Sequence, residues 1–206
     1  MDGMAWAALF AAIQAIVIAW FKISQKSTQK KLDLKLRMIE QEEKRKVKIR
    51  HNNVNRIFGE IWELLHFLKA DRVYILQPYP LDHTHYITIE YEVKRKGIVG
   101  MKESVQKMPI SEIAVFARDI ADNDFLFFPD VESNVNDKRT RALLTLNGGA
   151  SEAIKRMTDD RHDWNGSIVV EYVNKTDMDQ AEIKKMLDKA AMTIQYILPE
   201  YMDNNI

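Results

Sequence analysis

The chain has 206 residues, with 30 Lys and Arg against 30 Asp and Glu, and no cysteine. Lacking cysteine, it has no disulfide, no thiol nucleophile and no Cys-ligated zinc, which agrees with a reducing compartment. The zero net charge hides an asymmetry. Residues 22–56 carry twelve Lys and Arg against Asp33, Glu40, Glu42 and Glu43, a net of +8, which with Asp2 leaves −7 on residues 57–206. An acidic domain without a basic face is poorly suited to nucleic acid, so no nucleic-acid partner is expected.

The first element is an uncharged apolar run, residues 4–21, MAWAALFAAIQAIVIAWF, in which Gln14 is the only polar residue. As a helix, eighteen residues rise about 27 Å, close to the hydrocarbon thickness of a bilayer. Trp6 and Trp20 stand near the two ends, where an indole buries its ring and keeps its N–H among headgroups. Seven of the eighteen residues are Ala, each adding little transfer energy. A cleaved signal peptide would place positive charge before the run, but Asp2 precedes it and Lys22, Lys26, Lys30 and Lys31 follow. An interfacial helix would show a charged face, and this run has none. The run therefore reads as a single membrane span. Positive charge stays on the cytoplasmic side, which places residues 22–206 inside and makes the membrane the first expected partner. The basic residues could also lie against anionic headgroups, or simply be a solvated helix surface.

Residues 22–51 form a basic linker without Pro or Gly, dominated by charged helix formers. Leu32, Leu36 and Ile39 have heptad spacing, but Glu43 and Arg50 break the seam where it should continue. From residue 52 the pattern sharpens: Val54, Ile57, Ile61, Leu64 and Leu68 follow 3-4 spacing, with Phe58 and Leu65 widening the stripe. That stripe is either the first helix of a domain packing on a sheet or part of a coiled coil, and its breadth favours the sheet.

Strands and helices then alternate. Arg72-Val-Tyr-Ile-Leu-Gln-Pro78 is a strand expected to end at Pro78-Tyr79-Pro80. In residues 85–94, Ile87, Ile89, Tyr91 and Val93 alternate with Thr88, Glu90 and Glu92, the pattern of a half-buried antiparallel strand. Pro109-Ile110-Ser111 opens a helix to about Ala121, and Phe125-Leu-Phe-Phe128 is a short strand closed by Pro129. A helix from Asp137 to Leu146 stops at Asn147-Gly148-Gly149. Residues 150–158 read as a weakly patterned strand, Asn165-Gly166 as a hairpin turn with positive φ, and residues 167–173 as the strongest strand. Residues 178–201 close with an amphipathic helix carrying Ile183, Leu187, Ala190, Ala191, Ile194 and Ile197. The order predicts an α+β fold: an antiparallel sheet flanked by helices, the first and last on one face.

Candidate chemical sites are weak. His83-x-His85 could present two imidazoles to a metal, but no third ligand converges and the neighbourhood reads as turn. Asp159-Asp160-Arg161-His162-Asp163 has the charge for acid–base work or calcium, but lacks the glycine spacing of a calcium loop and reads as a hairpin tip. Lys138-Arg139-Thr140-Arg141 could hold an anion at a helix start, although exposed charge is the default. Asn147-Gly148-Gly149 is not followed by the Gly-Lys-Ser/Thr of a phosphate loop. No nucleophile–base pair stands out. The chain is therefore expected not to be an enzyme, with no catalytic residue, no metal site, no cofactor and no assigned cofactor-binding residue.

Four features together resemble the GAF domain family, small sensory and regulatory modules related to PAS domains. They are a helix leading into Ala70-Asp71-Arg72-Val73-Tyr74-Ile75, the Gly97-Ile98 pair after the second strand, a short strand ending in Asp130-Val131, and Trp164-Asn165-Gly166-Ser167-Ile168-Val169-Val170-Glu171-Tyr172. The resemblance covers roughly residues 52–201. It implies a sheet of about six strands, a pocket on the face away from the terminal helices, and dimerisation through flanking helices. The Asn-Lys-Phe-Asp-Glu signature of cyclic-nucleotide-binding members is missing, and so is the cysteine that attaches bilins, so the resemblance implies a role class without a ligand.

The expected organisation is a transmembrane helix at 4–21, a basic helical linker and possible coiled coil at 22–51, and a GAF-like domain at 52–206. The expected function is a membrane-anchored, non-catalytic sensor, regulatory or protein-interaction module on the cytoplasmic face, a homodimer with an unidentified small-molecule or protein partner. The alternative is a phage-type membrane protein, holin-like or lysis-regulating, whose span and basic segment oligomerise under control of the soluble domain. The alanine-rich span permits the close helix packing this would need.

Overall fold

The computed structural model describes residues 3–79, 85–158 and 163–198, with side chains at Trp20, Leu32 and from residue 34 onward within those ranges. It divides into two compact units, Met1–Arg50 and His51–Ile206.

Helix α1, Gly3–Phe67, contributes residues to both units. In the first unit the Glu40–Lys44 (2.7 Å) and Glu42–Lys46 (3.5 Å) pairs sit one turn apart, in the orientation that best supports a helix. Leu32, Leu34, Leu36, Met38, Ile39, Val47 and Ile49 are exposed there. The span expected at residues 4–21 falls where the backbone is helical but, Trp20 apart, the side chains lie outside the described residues. Among the described residues no helix is long and apolar enough to cross a membrane.

The second unit is built on a six-stranded sheet. Its strands are β1 (Arg72–Tyr79), β2 (Tyr86–Lys94), β3 (Met108–Pro109), β4 (Phe125–Phe128), β5 (Ser151–Thr158) and β6 (Trp164–Tyr172), in the order β3-β2-β1-β6-β5-β4 and all antiparallel. One face is covered by the last part of α1 and by α5 (Gln180–Ile194). Ile57, Ile61, Leu64, Leu65 and Leu68 of α1 and Ile183, Leu187, Ala190, Ala191 and Ile194 of α5 are buried with Val73, Ile75, Ile168 and Val170 of the sheet. The helical stripes from residue 54 and residue 183 therefore meet the sheet as their periodicity predicts. The other face is covered by the loop after β2, by α2 (Ala114–Asp122), by the single turn α3 (Val131–Asn134) and by α4 (Lys138–Leu146).

Three local readings are corrected. Asn165-Gly166 is not the hairpin turn: both residues lie inside β6, with Gly166 opposite Met157 and a register shift that leaves Asn165 as the extra residue. Gly166 serves close approach instead, since a Cβ there would stand 3.2 Å from the Leu76 carbonyl oxygen and 3.3 Å from Gln77 Cγ. By contrast β1 ends at Tyr79, within the expected Pro78-Tyr79-Pro80 stop, and Pro78 is tolerated in it because the ladder to β6 already stops at Leu76. The helix at Pro109 begins as a 3-10 turn, Ile110–Ile113, before α2. The last helix ends at Ile194, and residues 199–201 of the expected element lie outside the described residues.

Ile61 has no exposure and sits under the sheet, so Ile61→Ala should cost about 2–5 kcal/mol of unfolding free energy. Met192→Ala, on the outer surface of α5, should stay within about 0.5 kcal/mol. Denaturant melts of the full chain in detergent micelles check both; equal losses would contradict the assigned packing.

Candidate functional site

The unusual feature of the second unit is a row of charge inside the sheet. Antiparallel register sets Arg72 of β1 opposite Glu171 of β6, and Glu171 opposite Glu152 of β5. Neighbours across strands share a face, so the three side chains meet on the side of the sheet away from α1 and α5. All three are essentially unexposed. Arg72 Nε donates to Glu171 Oε2 at 2.5 Å, and Nη2 makes an ion pair with the same oxygen. Tyr74, two residues along β1, donates its hydroxyl to Glu171 Oε1 at 2.8 Å and reaches Glu152 Oε1 at 3.5 Å.

Arg72 also ties down two loops. Its Nη1 donates to the Val99 carbonyl at 2.5 Å and to the Asn147 carbonyl at 3.0 Å. Asn147 caps the end of α4, and Gly148 behind it has φ +80°, the left-handed conformation that turns the chain back toward β5. Val99 belongs to the loop after β2, which Glu92 holds by accepting from the Met101 N–H at 2.5 Å and the Lys102 N–H at 3.3 Å.

Beside this row lies a cavity of about 30 Å³. Its apolar walls include Ile87, Ile89, Met101, Val105, Phe116 and Leu144; its polar lining is Tyr74, Thr140 and Glu152. Thr140 is placed by Asp137, whose side chain accepts from the Arg139 and Thr140 N–H groups at 3.0 and 2.9 Å and so starts α4. Thr140 Oγ1 and Glu152 Oε2, on residues 2% and 1% exposed, have no hydrogen-bond partner among the described residues.

Two carboxylates face one guanidinium here, and the row divides accordingly. Burial pushes the Glu152 carboxyl well above its ordinary range, and the Glu171 charge beside it pushes the same way. Burial also raises Glu171, but the Arg72 guanidinium opposes it. Glu171 is thus the partner of Arg72, and Glu152 is the carboxyl whose surroundings favour the protonated form. Tyr74 is raised well above its usual value by burial and then by Glu171, so its hydroxyl stays a donor.

The sequence-predicted candidates lie elsewhere. His83 and residues 159–162 fall outside the described residues, while His85 is exposed. Arg139 pairs with Glu112, and Arg141 donates to the Glu132 carbonyl at 3.3 Å, so the basic run on α4 makes protein contacts; only Thr140 of that run reaches the cavity. Among the described residues no group of three or more His, Cys, Asp or Glu could hold a metal. Sequence reasoning missed Arg72, Tyr74, Glu152 and Glu171 as a set. The available signal was Arg72 and Glu171, each a charged residue in a strongly β-forming segment; the weakly patterned strand around Glu152 gave none.

No family model matches the chain, and no curated protein matches it. Solved structures do. The blue-light-absorbing form of the Thermosynechococcus elongatus PixJ GAF domain superposes with a TM-score of 0.58 at 11% identity, over 71% of this chain and 87% of that one. A far-red cyanobacteriochrome photoreceptor gives 0.55 at 16% identity, over 82% of this chain and 100% of that one. The chromophore-binding domain of a bacteriophytochrome from R. palustris gives 0.52 at 13% identity, over 75% and 61%. The fold is GAF-like. At these identities the likeness is one of fold alone.

Removing Arg72 strands both carboxylates and frees both loops, so Arg72→Met should cost about 3–5 kcal/mol, measured by denaturant unfolding. Glu152 predicts a pH dependence. Its folded pKa lies above the unfolded value of 4.5, so its stabilisation is complete below about pH 4.5 and is lost as pH rises toward the folded pKa. In Glu152→Gln that loss disappears: the stability difference should move in favour of the variant by up to about 1.4 kcal/mol per pH unit through the window. A difference constant from pH 4.5 to 8.5 would show that Glu152 is not the proton carrier.

Proposed function

We propose that the chain is a non-catalytic regulatory module of GAF-like fold, held on the cytoplasmic face of a membrane by residues 4–21. It works as a homodimer, and its state is set at the Glu152 cavity or by a bound protein. The observation that carries this reading is the link between the cavity and two loops. Arg72 bonds to Glu171, Val99 and Asn147 together, and Glu152 touches both the same row and the cavity. A change of charge at Glu152 would therefore be felt at two loop tips, where Val99 and Leu146 are exposed.

The closed character of the site supports a regulatory rather than a catalytic role. Its titratable groups are buried and bonded to one another, so they hold a state more readily than they turn over substrate. A cavity of about 30 Å³ has no room for a chromophore such as the R. palustris domain binds, whereas small-molecule pockets measure roughly 300–1,000 Å³. Anchoring is supported by the eighteen-residue apolar run with its indoles and the +8 segment behind it.

Fractionation of cells expressing the full chain tests the anchor. The protein should pellet with membranes, resist a high-salt wash and dissolve in detergent, and deletion of residues 4–21 should release it. Recovery of the intact chain in a high-speed supernatant without detergent would overturn the anchored reading. Native mass spectrometry of the detergent-solubilised chain should report a dimer; a monomer at micromolar concentration would remove that part of the proposal.

A further inference from the structure

The acidic part of the chain gathers positive charge in one place. Residues 94–102, KRKGIVGMK, hold four Lys and Arg and no acid, although residues 57–206 together sum to −7. Outside that loop segment the same residues therefore carry −11. We infer that the tip formed by this loop and the turn after α4 is a docking site for a short acidic segment of a partner protein, one that also carries apolar side chains. This rests on the reading that a bound protein sets the module's state, and it gives that protein's contact surface and chemistry.

The tip has an apolar centre and a basic rim. Val99 is 61% exposed and Leu146 85% exposed, yet the backbone beside each is fixed from within. Arg72 Nη1 donates to the Val99 and Asn147 carbonyls together, which sets the two segments side by side. Glu92 accepts from the Met101 and Lys102 amides, and Gly97, at φ +88°, turns the chain between the basic run and Val99. Two large apolar side chains thus face water on ordered backbone, so a ligand meets them at little ordering cost. Lys94, Arg95 and Lys96 precede Val99 on the loop and are exposed. Lys69 joins them through Ala70, whose carbonyl accepts from Arg95 Nε at 2.7 Å. The Lys94 and Lys102 ammonium groups bond to the Ile98 and Glu90 carbonyls at 2.8 and 2.7 Å, which leaves their charge unbalanced. Arg95 stands 3.9 Å from Asp71, and Lys69 and Lys96 have no ion pair among the described residues.

Extent and charge select the occupant. A nucleic acid or an anionic bilayer presents negative charge over a wide area, and the −11 outside the tip repels it. A short acidic segment touches the tip alone, setting carboxylates against the basic rim and apolar side chains on Val99 and Leu146. The place agrees: the tip adjoins the C-terminal end of α1, about 24 Å along the helix from His51, where the second unit begins. Two apolar contacts ringed by solvated ion pairs make the affinity modest and sensitive to salt.

The test is fluorescence anisotropy with the full chain in phosphatidylcholine nanodiscs and a labelled peptide of four Asp-Glu-Leu repeats. The peptide should bind saturably, with Kd on the order of 10–100 µM at low salt, and several-fold more weakly at physiological salt. Peptides of Lys-Lys-Leu or Asp-Glu-Ser repeats, which lack the charge or the apolar part, should bind at least about tenfold more weakly. Lys69→Glu with Lys96→Glu should weaken binding about tenfold, and so should Val99→Ser with Leu146→Ser. All four side chains are exposed, so both double variants should keep the parent's denaturant midpoint. Absence of saturable peptide binding, or binding unchanged in both double variants, would overturn the proposal. So would tighter binding of oligothymidylate or of phosphatidylserine vesicles that the same variants abolish. A salt-sensitive self-association lost in those variants would assign the tip to a second copy instead, and would equally overturn it. Should the peptide fail while the chain still pellets with membranes and forms a dimer, the regulatory reading survives and this partner does not.

Discussion

The Arg72–Glu171 pair is the constraint on which the rest of the second unit depends. A guanidinium and a carboxylate with almost no exposure are expensive to desolvate, and they are tolerated only where further hydrogen bonds complete their coordination. Here those bonds come from Tyr74, Val99 and Asn147, which lie on a neighbouring sheet position and in two loops that contribute nothing to the sheet ladders. The pair thus converts a register choice into a tertiary one. Slipping β1 against β6 by one residue would turn Arg72 to the opposite face, among Val73, Ile75 and Val170, with no acceptor. Correct pairing and correct loop placement are selected together.

Glu152 follows from that arrangement. It stands on the same row, one strand beyond Glu171, where the single positive charge has already been used. Burial and the neighbouring Glu171 charge both favour its protonated form, which eases two carboxyls beside one guanidinium. A hydrophobic residue at position 152 would remove that burden.

Much of this architecture was readable from the chain and its chemical centre was not, for a specific reason. The stripes beginning at Val54 and Ile183, the alternation from Ile87 to Val93 and the cap at Asp137 are local patterns, each set by neighbours a few residues away. Arg72, Glu152 and Glu171 are separated by 80 and 19 residues and become a site only through two strand registers. Asn165-Gly166 failed for the opposite reason: it has the composition of a turn, but Gly166 sits in a strand pressed closely against Leu76 and Gln77. Its turn propensity was overridden by a packing contact with a distant strand.

The edges of the sheet bear on how the proposed dimer could form. Beyond β3 the exposed edge of β2 is already occupied: the Ile89 N–H bonds to the Val105 carbonyl, the Ile89 carbonyl accepts from Gln106 Nε2, and the Glu90 carbonyl accepts from Lys102 Nζ. The loop that covers the cavity thus also blocks strand addition. At the other edge β4 has four residues and is bounded by Pro129, a length too short to template a stable ladder. Edge-to-edge association is disfavoured on both sides. What remains for a second copy is helical surface, where Trp62 and Phe67 of α1, Met192 of α5 and Tyr196 just beyond it stand exposed. Those residues lie on or just beyond the helices of the opposite face from the cavity, so a dimer made through them leaves the Glu152 cavity and its two loop tips uncovered.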